Sequence, residues 1–276
     1  MELGLGSIAF IYDSINNGEF NNSDDLLLHS IERTFDFAER NNIQICELIL
    51  DPPEIILNEN RQKFIELCKS YPSIKKQFHA PYAYLSLCTH NPWILKATLE
   101  CYVKSAEICR EIGAQVLTIH PGNAKFLHHS YNGIKNRLID SMVKLLEKIK
   151  DLNLITCLEN MPQMAGFFLQ HEEIDKFFSK INRNDIYFAW DTGHTYSCKD
   201  HLDLIWEKLH TRMKNIHLVE YFENALDIHP TLGKGKVDFD KIFELTDQYD
   251  YKGALVMELH KVEDLPESIE FIRKLY

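Results

Sequence analysis

Short apolar runs alternate with longer amphipathic stretches along the whole chain. The runs "LGLGSIAF", "IQICELIL", "KKQFHAPY", "AQVLTIHPG", "LITCLENMP", "IYFAWDTGH", "MKNIHLVEY" and "GALVMELH" predict eight buried strands. Between them, "DDLLLHSIERTFDFAERNN", "WILKATLECYVKSAEICREIG" and "KNRLIDSMVKLLEKIKDL" predict helices. In the last of these Leu138, Met142, Leu145, Leu146 and Ile149 recur at helical spacing, which marks a core stripe. Strands alternating with helices predict parallel βαβ units, and eight units predict an α/β chain folded as a closed (β/α)8 (TIM) barrel, one domain over residues 1–276. A doubly wound open sheet is the alternative. It would carry a Gly-rich turn after the first strand, and no such turn follows "GLGSIAF".

The length of 276 residues suits one large barrel, and 45% hydrophobic with 26% charged residues is ordinary for a soluble globular chain. Nothing approaches 18 consecutive apolar residues, so no membrane partner is expected. The start, "MELGLGSIAFIYDS", lacks the basic n-region of a signal peptide. Seven scattered cysteines without a C-x-x-C pair point to reduced thiols and a cytoplasmic location. The formal charge of −11 disfavours general polyanion binding, although bound cations can reverse the field locally.

Histidine and carboxylate side chains fall where the predicted strands end: His79, His120, Glu159, Asp191 with His194, His217 and Glu258. Each follows an apolar run in which an unpaired charge is costly. In a barrel the carboxyl ends of the strands converge on the catalytic face. Any one of these residues alone reads equally well as a satisfied core residue. Together, with their carboxylates gathered in one place, they call for a divalent cation, and imidazole with carboxylate suits Zn, Mn, Co or Fe. Asp227 and His229 in "ALDIHPTLGKGKVDFD" add two more ligand types after the seventh strand. The "GKGK" there lacks the spacing of a phosphate-binding P-loop, so Gly233 and Gly235 read as turn residues before a helix. Lys234 or Lys236 is either a contact for an anionic substrate or a solvated lysine. Glu47 is a pocket carboxylate or an outer-face residue, and Trp190 and His260, beside ligand positions, lie on one side of their strands or the other. His128, His129 and His171 read as surface histidines.

The pattern from "FHAPY" to "MELH" resembles the xylose isomerase-like barrel superfamily, which holds sugar isomerases, sugar epimerases and endonuclease IV. The resemblance implies a metal held by Glu159, Asp191, His217 and Glu258. The further ligands of the endonuclease IV zinc centre match His79, His120, His194, Asp227 and His229, so one to three ions (Zn, Mn or Co) are implied. The motifs "DTGH" and "LGKGKVDF" look like the isomerase and epimerase branch. "ENMPQMAGFF" and "HLVEYF" depart from endonuclease IV, and no Arg stands near "ALDIH", where ketose 3-epimerases carry one.

Duplex binding needs several phosphate contacts, preferably from Arg. Arginines 33, 40, 61, 110, 137, 183, 212 and 273 are expected in helices or on the opposite face, with only Arg61 near the rim. Lys125, Lys199, Lys234, Lys236 and Lys261 are the rim lysines. Tyr82, Tyr84, Trp93 and Phe167 suit a sugar pocket as well as a DNA wedge. The expectation is therefore a metal-dependent sugar or sugar-phosphate isomerase or epimerase, with a homo-oligomer allowed by this reading. By resemblance Glu159 and Glu258 exchange the proton, His194 orients a substrate oxygen, and Tyr82, Trp190 and Lys234 contact substrate. The alternative is zinc-dependent hydrolysis of abasic-site DNA, the one reading with a nucleic-acid partner.

Overall fold

The computed structural model describes residues 1–18, 20–123, 131–223 and 227–275. Eight parallel strands pair in chain order and β8 pairs back to β1, closing a barrel. They are β1 (Glu2–Gly6), β2 (Ile45–Ile49), β3 (Lys75–His79), β4 (Val116–Ile119), β5 (Ile155–Glu159), β6 (Ile186–Asp191), β7 (Met213–Leu218) and β8 (Ala254–Met257). The principal helices are α1 (Ile8–Asn17), α2 (Ser23–Arg40), α3 (Glu54–Leu57), α4 (Arg61–Ser70), α5 (Pro92–Ile112), α6 (Tyr131–Ile149), α7 (His171–Ile181), α8 (Thr192–Ser197), α9 (Leu202–Leu209), α10 (Phe239–Gln248) and α11 (Leu265–Leu275). Among the described residues no helix is long and apolar enough to cross a membrane. All seven cysteines are buried and unpaired.

The main core fills the space between barrel and helices, and includes the α6 stripe read from the sequence. A second, small cluster of Ile45, Ala254 and Val256 plugs the barrel interior. Gly4 makes room for it, since a Cβ there would come within 3.0 Å of Val256 Cγ2. Above the plug lies a polar layer of Glu47, Gln77, Thr118 and Asn215, joined by hydrogen bonds. Above that layer the strands end.

The first predicted strand overreaches. β1 stops at Gly6, and Ile8 begins α1, with the amides of Phe10 and Ile11 donating to the Ser7 carbonyl. Periodicity cannot separate a short buried helix from a strand over so few residues.

Two side chains staple the last strand ends. Asn160 accepts from the Asp191 amide at 2.8 Å and donates to the Asp191 carbonyl at 3.0 Å, locking β5 to β6. Thr192 Oγ1 accepts from the Val219 amide at 2.9 Å and donates to the Val219 carbonyl at 2.7 Å, locking β6 to β7.

Trp190 is not a substrate contact. It lies on the outer side of β6, fully buried, with its ring edge-on to Trp206 of α9 and its Nε1 donating to Thr195 Oγ1 at 2.8 Å. Trp190→Ala is expected to cost about 3–5 kcal/mol by emptying this packed position. Denaturant unfolding should show the loss as a lower midpoint, with no ligand-type side chain removed from the barrel mouth. Phe167 is likewise core rather than rim. His171, expected at the surface, is buried, with its Nδ1 2.5 Å from Asp200 Oδ1. Lys125, His128 and His129 lie outside the described residues.

Candidate active site at the barrel mouth

The nine ligand-type residues converge. His79, Glu159 and Asp191 are the last residues of β3, β5 and β6, and His120 and Glu258 directly follow β4 and β8. His217 stands inside β7 and His194 on α8, while Asp227 and His229 come from the loop after β7. Nε2 of His79 lies 3.1 Å from Nε2 of His120, and Glu159 Oε2 lies 3.2 and 3.0 Å from these two atoms. Tetrahedral zinc, with bonds of about 2.0–2.1 Å, sets neighbouring ligand atoms about 3.3 Å apart. His194 Nε2 is 3.3 Å from Asp227 Oδ2, and His229 Nε2 is 2.9 Å from Asp227 Oδ1. His217 Nδ1 lies 3.1 Å from Glu159 Oε1 and 3.6 Å from Glu258 Oε1, between the two carboxylates. Ligand atoms of Glu159, Asp191 and His217 lie within 4.8 Å of one another, as do those of Asp191, His194 and His229.

Partners outside the cluster aim the imidazoles inward. A carbonyl can only accept, so Nδ1–H of His79 donates to the Ala80 carbonyl at 2.9 Å, and Nδ1–H of His194 to the Asn160 carbonyl at 2.8 Å. Each leaves Nε2 facing the cluster. Asp191 caps α8, accepting from the His194 amide through Oδ1 at 2.7 Å. Its Oδ2, together with His229 Nδ1 and Glu258 Oε1, is buried with no hydrogen-bond partner. Three orphaned buried atoms aimed into a nest of imidazoles and carboxylates fit a site that could take a cation.

The electrostatics carry the same sign. Burial alone would lower the His194 pKa, but Asp191 and Asp227 overturn that and hold it up at about 10. Burial likewise opposes the charge on His217, and Glu258, Glu47 and Glu159 raise it well above the usual histidine range. Burial pushes Asp191 up to about 6, against the pull of His194 and His229. Glu159 is buried too, yet His217 and His120 bring it well below the carboxylate range. Without a cation, protons hold this cluster together.

The sequence model of the xylose isomerase-like TIM barrel family matches residues 35–275. The chain belongs to that family. A protein of Methanocaldococcus jannaschii, MJ1311, is 22% identical over 99% of this chain and 89% of its own. An inosose dehydratase of Clostridium perfringens is 22% identical over 76% of this chain and 78% of its own. Among solved structures, a D-tagatose 3-epimerase-like protein has a TM-score of 0.83 at 20% identity, covering 100% of this chain and 97% of the other. D-allulose 3-epimerase from Methylomonas sp. in complex with D-allulose has a TM-score of 0.79 at 17% identity, covering 100% and 97%. IOLI protein with a bound zinc atom has a TM-score of 0.76 at 14% identity, covering 100% and 96%.

In this xylose isomerase-like barrel the mouth opens into two clefts. One, of about 400 Å³, is lined by Gly193, His194, Glu220, Asp227, Met164 and Lys199. The other, of about 520 Å³, is lined by Tyr82, Tyr84, Ser86, His120, Asn123 and Met161. Tyr82 sits where the sequence expected it, its ring against His79 and His120. Tyr84 and Trp93 are exposed.

Lys234 does not face the site. Its Nζ pairs with Glu267 of α11 at 2.5 Å. The "GKGK" loop wraps the protein's own carboxylate: Glu220 accepts from the amides of Tyr221, Gly233 and Val237 at 2.8–3.0 Å. Gly233 takes a left-handed φ of 78°, and a Cβ on Gly235 would meet the Tyr221 carbonyl at 2.4 Å. Arg61 is bonded to Glu111. Arg137, on α6, also reaches the rim, where it donates to the Cys88 carbonyl and contacts His90.

Two residues that the sequence left open, Glu47 and His260, and two that it missed, Tyr12 and Asp51, complete the mouth. Glu47 faces inward beneath His217. His260 stacks on His229, with centroids 4.3 Å apart and planes 6° apart, and burial beside His229 lowers its pKa to about 4, so it stays neutral. Tyr12 of α1 packs edge-on to His260. Asp51 anchors the amides of Tyr82 and Ala83 at 2.9 and 2.7 Å.

Proposed function

We propose that this chain is a metal-dependent isomerase or epimerase of neutral sugars, moving a proton at the carbon next to a carbonyl. The observation that carries the reading is the placement of Glu159 and Glu258 on either side of His217 Nδ1, among buried atoms that lack partners. Glu159, Asp191, His217 and Glu258 would hold the ion, and when bound it would polarise the substrate carbonyl and its neighbouring hydroxyl. One carboxylate removes the proton from the acidified carbon and the other returns it from the opposite side. His194, with its Nδ1–H committed to a carbonyl, presents Nε2 to a substrate oxygen. The hydroxyls of Tyr12 and Tyr82 offer partners to the rest of a polyhydroxylated chain. The sugar 3-epimerases among the structural relatives, one of them holding D-allulose, support the substrate class. The zinc in the IOLI structure supports the cofactor.

The charge around the mouth favours a neutral sugar over its phosphate. Glu159, Asp191, Asp227 and Glu258 meet there, Lys234 is turned to Glu267, and Lys199 is an exposed residue on a cleft wall. Free ketoses, assayed in deuterium oxide with divalent metal, are expected to invert at one carbon and take up deuterium there. Lys234→Ala is expected to leave kcat/KM within about two-fold, the scale of a lost surface ion pair. Turnover of phosphorylated sugars alone, with a large loss in the lysine variant, would overturn the neutral-sugar assignment.

One observation favours a second reading, zinc-dependent hydrolysis of abasic-site DNA: all nine residues of the larger ligand set gather at one mouth. Two or three zinc atoms per chain by elemental analysis, with cleavage of an abasic duplex, would carry it. Against it, both arginines that reach the rim are already bonded within the protein.

A further inference from the structure

The geometry points to Glu47 as a positioning residue for metal binding, which fixes His217 in the tautomer that turns Nδ1 toward the ion. This rests on the metal-binding reading above and concerns a residue one layer below the ligands.

Glu47 is the one charge in "ICELI", a strand buried at every position. A carboxylate with no exposure costs several kcal/mol unless its lone pairs are met. Here they are: Oε1 lies 2.9 Å from His217 Nε2, while Oε2 accepts from Asn215 Nδ2 at 2.7 Å and from Gln77 Nε2. Both oxygens being occupied, Glu47 differs from Asp191 and Glu258, each of which keeps an unpartnered oxygen for a cation. Asn215 Nδ2 also lies 3.0 Å from both Thr118 Oγ1 and His217 Nε2, and Gln77 Nε2 donates to Asn215 Oδ1 at 3.0 Å. Glu47 Oε1, at 2.9 Å, stands slightly closer to His217 Nε2 than the Asn215 nitrogen does, and a carboxylate can only accept, so Nε2 carries the proton and Glu47 receives it.

With the proton held on Nε2, the lone pair stands on Nδ1, which faces Glu159 and Glu258. A carboxylate behind an imidazole also raises the basicity of the far nitrogen, and loss of such a partner typically costs 10–100-fold in metal affinity. A purely structural plug would need no charge: the amide–hydroxyl pairing of Asn215 with Thr118 shows that neutral groups can satisfy this layer.

The test compares the full-length wild-type protein with Glu47→Gln and Glu47→Asp, each stripped with a chelator and titrated with zinc against a chromophoric competitor. Both variants are expected to bind zinc 10–100-fold more weakly, with folding checked by circular dichroism. Wild-type protein with 15N-labelled histidine and loaded with 113Cd supplies a readout that needs no variant. The expected result is cadmium coupling at His217 Nδ1 and a slowly exchanging proton on Nε2. Coupling at Nε2, or a folded Glu47→Gln protein with wild-type zinc affinity, overturns this inference alone. Failure of the wild type to bind either ion overturns the metal reading and this inference with it.

Discussion

Glu159→Gln is expected to abolish metal retention and lower kcat/KM by about 10³–10⁴-fold, the upper range for loss of a positioned acid–base group. The Glu159 side chain links three of the imidazoles. Its Oε2 meets His79 and His120, and its Oε1 meets His217. The amide has nearly the same shape, but one of its two ends carries hydrogens and faces imidazole nitrogens, and the charge is gone. In metal-free protein the loss leaves protonated imidazoles without their anion, and removing one partner of a buried ion pair costs about 3–5 kcal/mol. Elemental analysis of the purified variant and its steady-state kinetics read the two halves separately. A variant with stoichiometric metal and activity within ten-fold of wild type would remove Glu159 from the site.

Metal removal should reverse the pH dependence of stability on the alkaline side. His194 titrates at about 10 in the folded chain against an ordinary 6.5. A raised folded pKa contributes stability that is fully present below 6.5 and is lost as pH rises through 10. His217 and His229 are raised too, each by carboxylates that outweigh burial, and act in the same direction. Asp191, raised by burial from 3.8 to about 6, costs stability as pH rises through that window, and its cost is constant above it. His120 and His260 run the other way, since burial lowers them, but four imidazoles, His79 included, are raised. Apo protein is thus expected to lose thermal stability steadily from pH 6.5 to pH 10.

With an ion bound, its charge would keep the proton off His217, disfavour protonation of the neighbouring imidazoles and hold Asp191 ionised, so that loss should shrink. Ligand present at about 1,000 times its Kd adds about 4 kcal/mol. For a chain of this size that is a rise of about 10 °C in Tm at neutral pH, widening toward alkaline pH. Thermal scans of chelated and reloaded protein across this range check it. Parallel curves with and without metal would mean that the cluster does not bind the ion.

The barrel and the ligand set were legible because each strand announces itself by an apolar run and each ligand by a charge where the run ends. Parity could have placed more. Asp191 and Trp190 are neighbours in an extended strand, so an inward Asp191 forces Trp190 outward; His260, two residues past Glu258, falls on its side by the same rule. Other features depended on contacts that sequence does not encode locally. Lys234 is turned by Glu267, from a helix far along the chain. The charge that the "GKGK" glycines wrap is Glu220, hidden in "HLVEYF". Glu47 required knowing the register, in which it stands beside Gly6 on one side and Gln77 on the other. Tyr12 was lost when α1 was read as the end of a strand.

The two staples, Asn160 across β5 and β6 and Thr192 across β6 and β7, divide the ring of strands unequally. They tie together the arc that supplies Glu159, Asp191 and His217, whereas β1 brings only glycines, Gly4 and Gly6, to the inner wall. Loops on the β1–β2 side can therefore be lengthened, shortened or exchanged while this arc keeps three of the four candidate ligands in register.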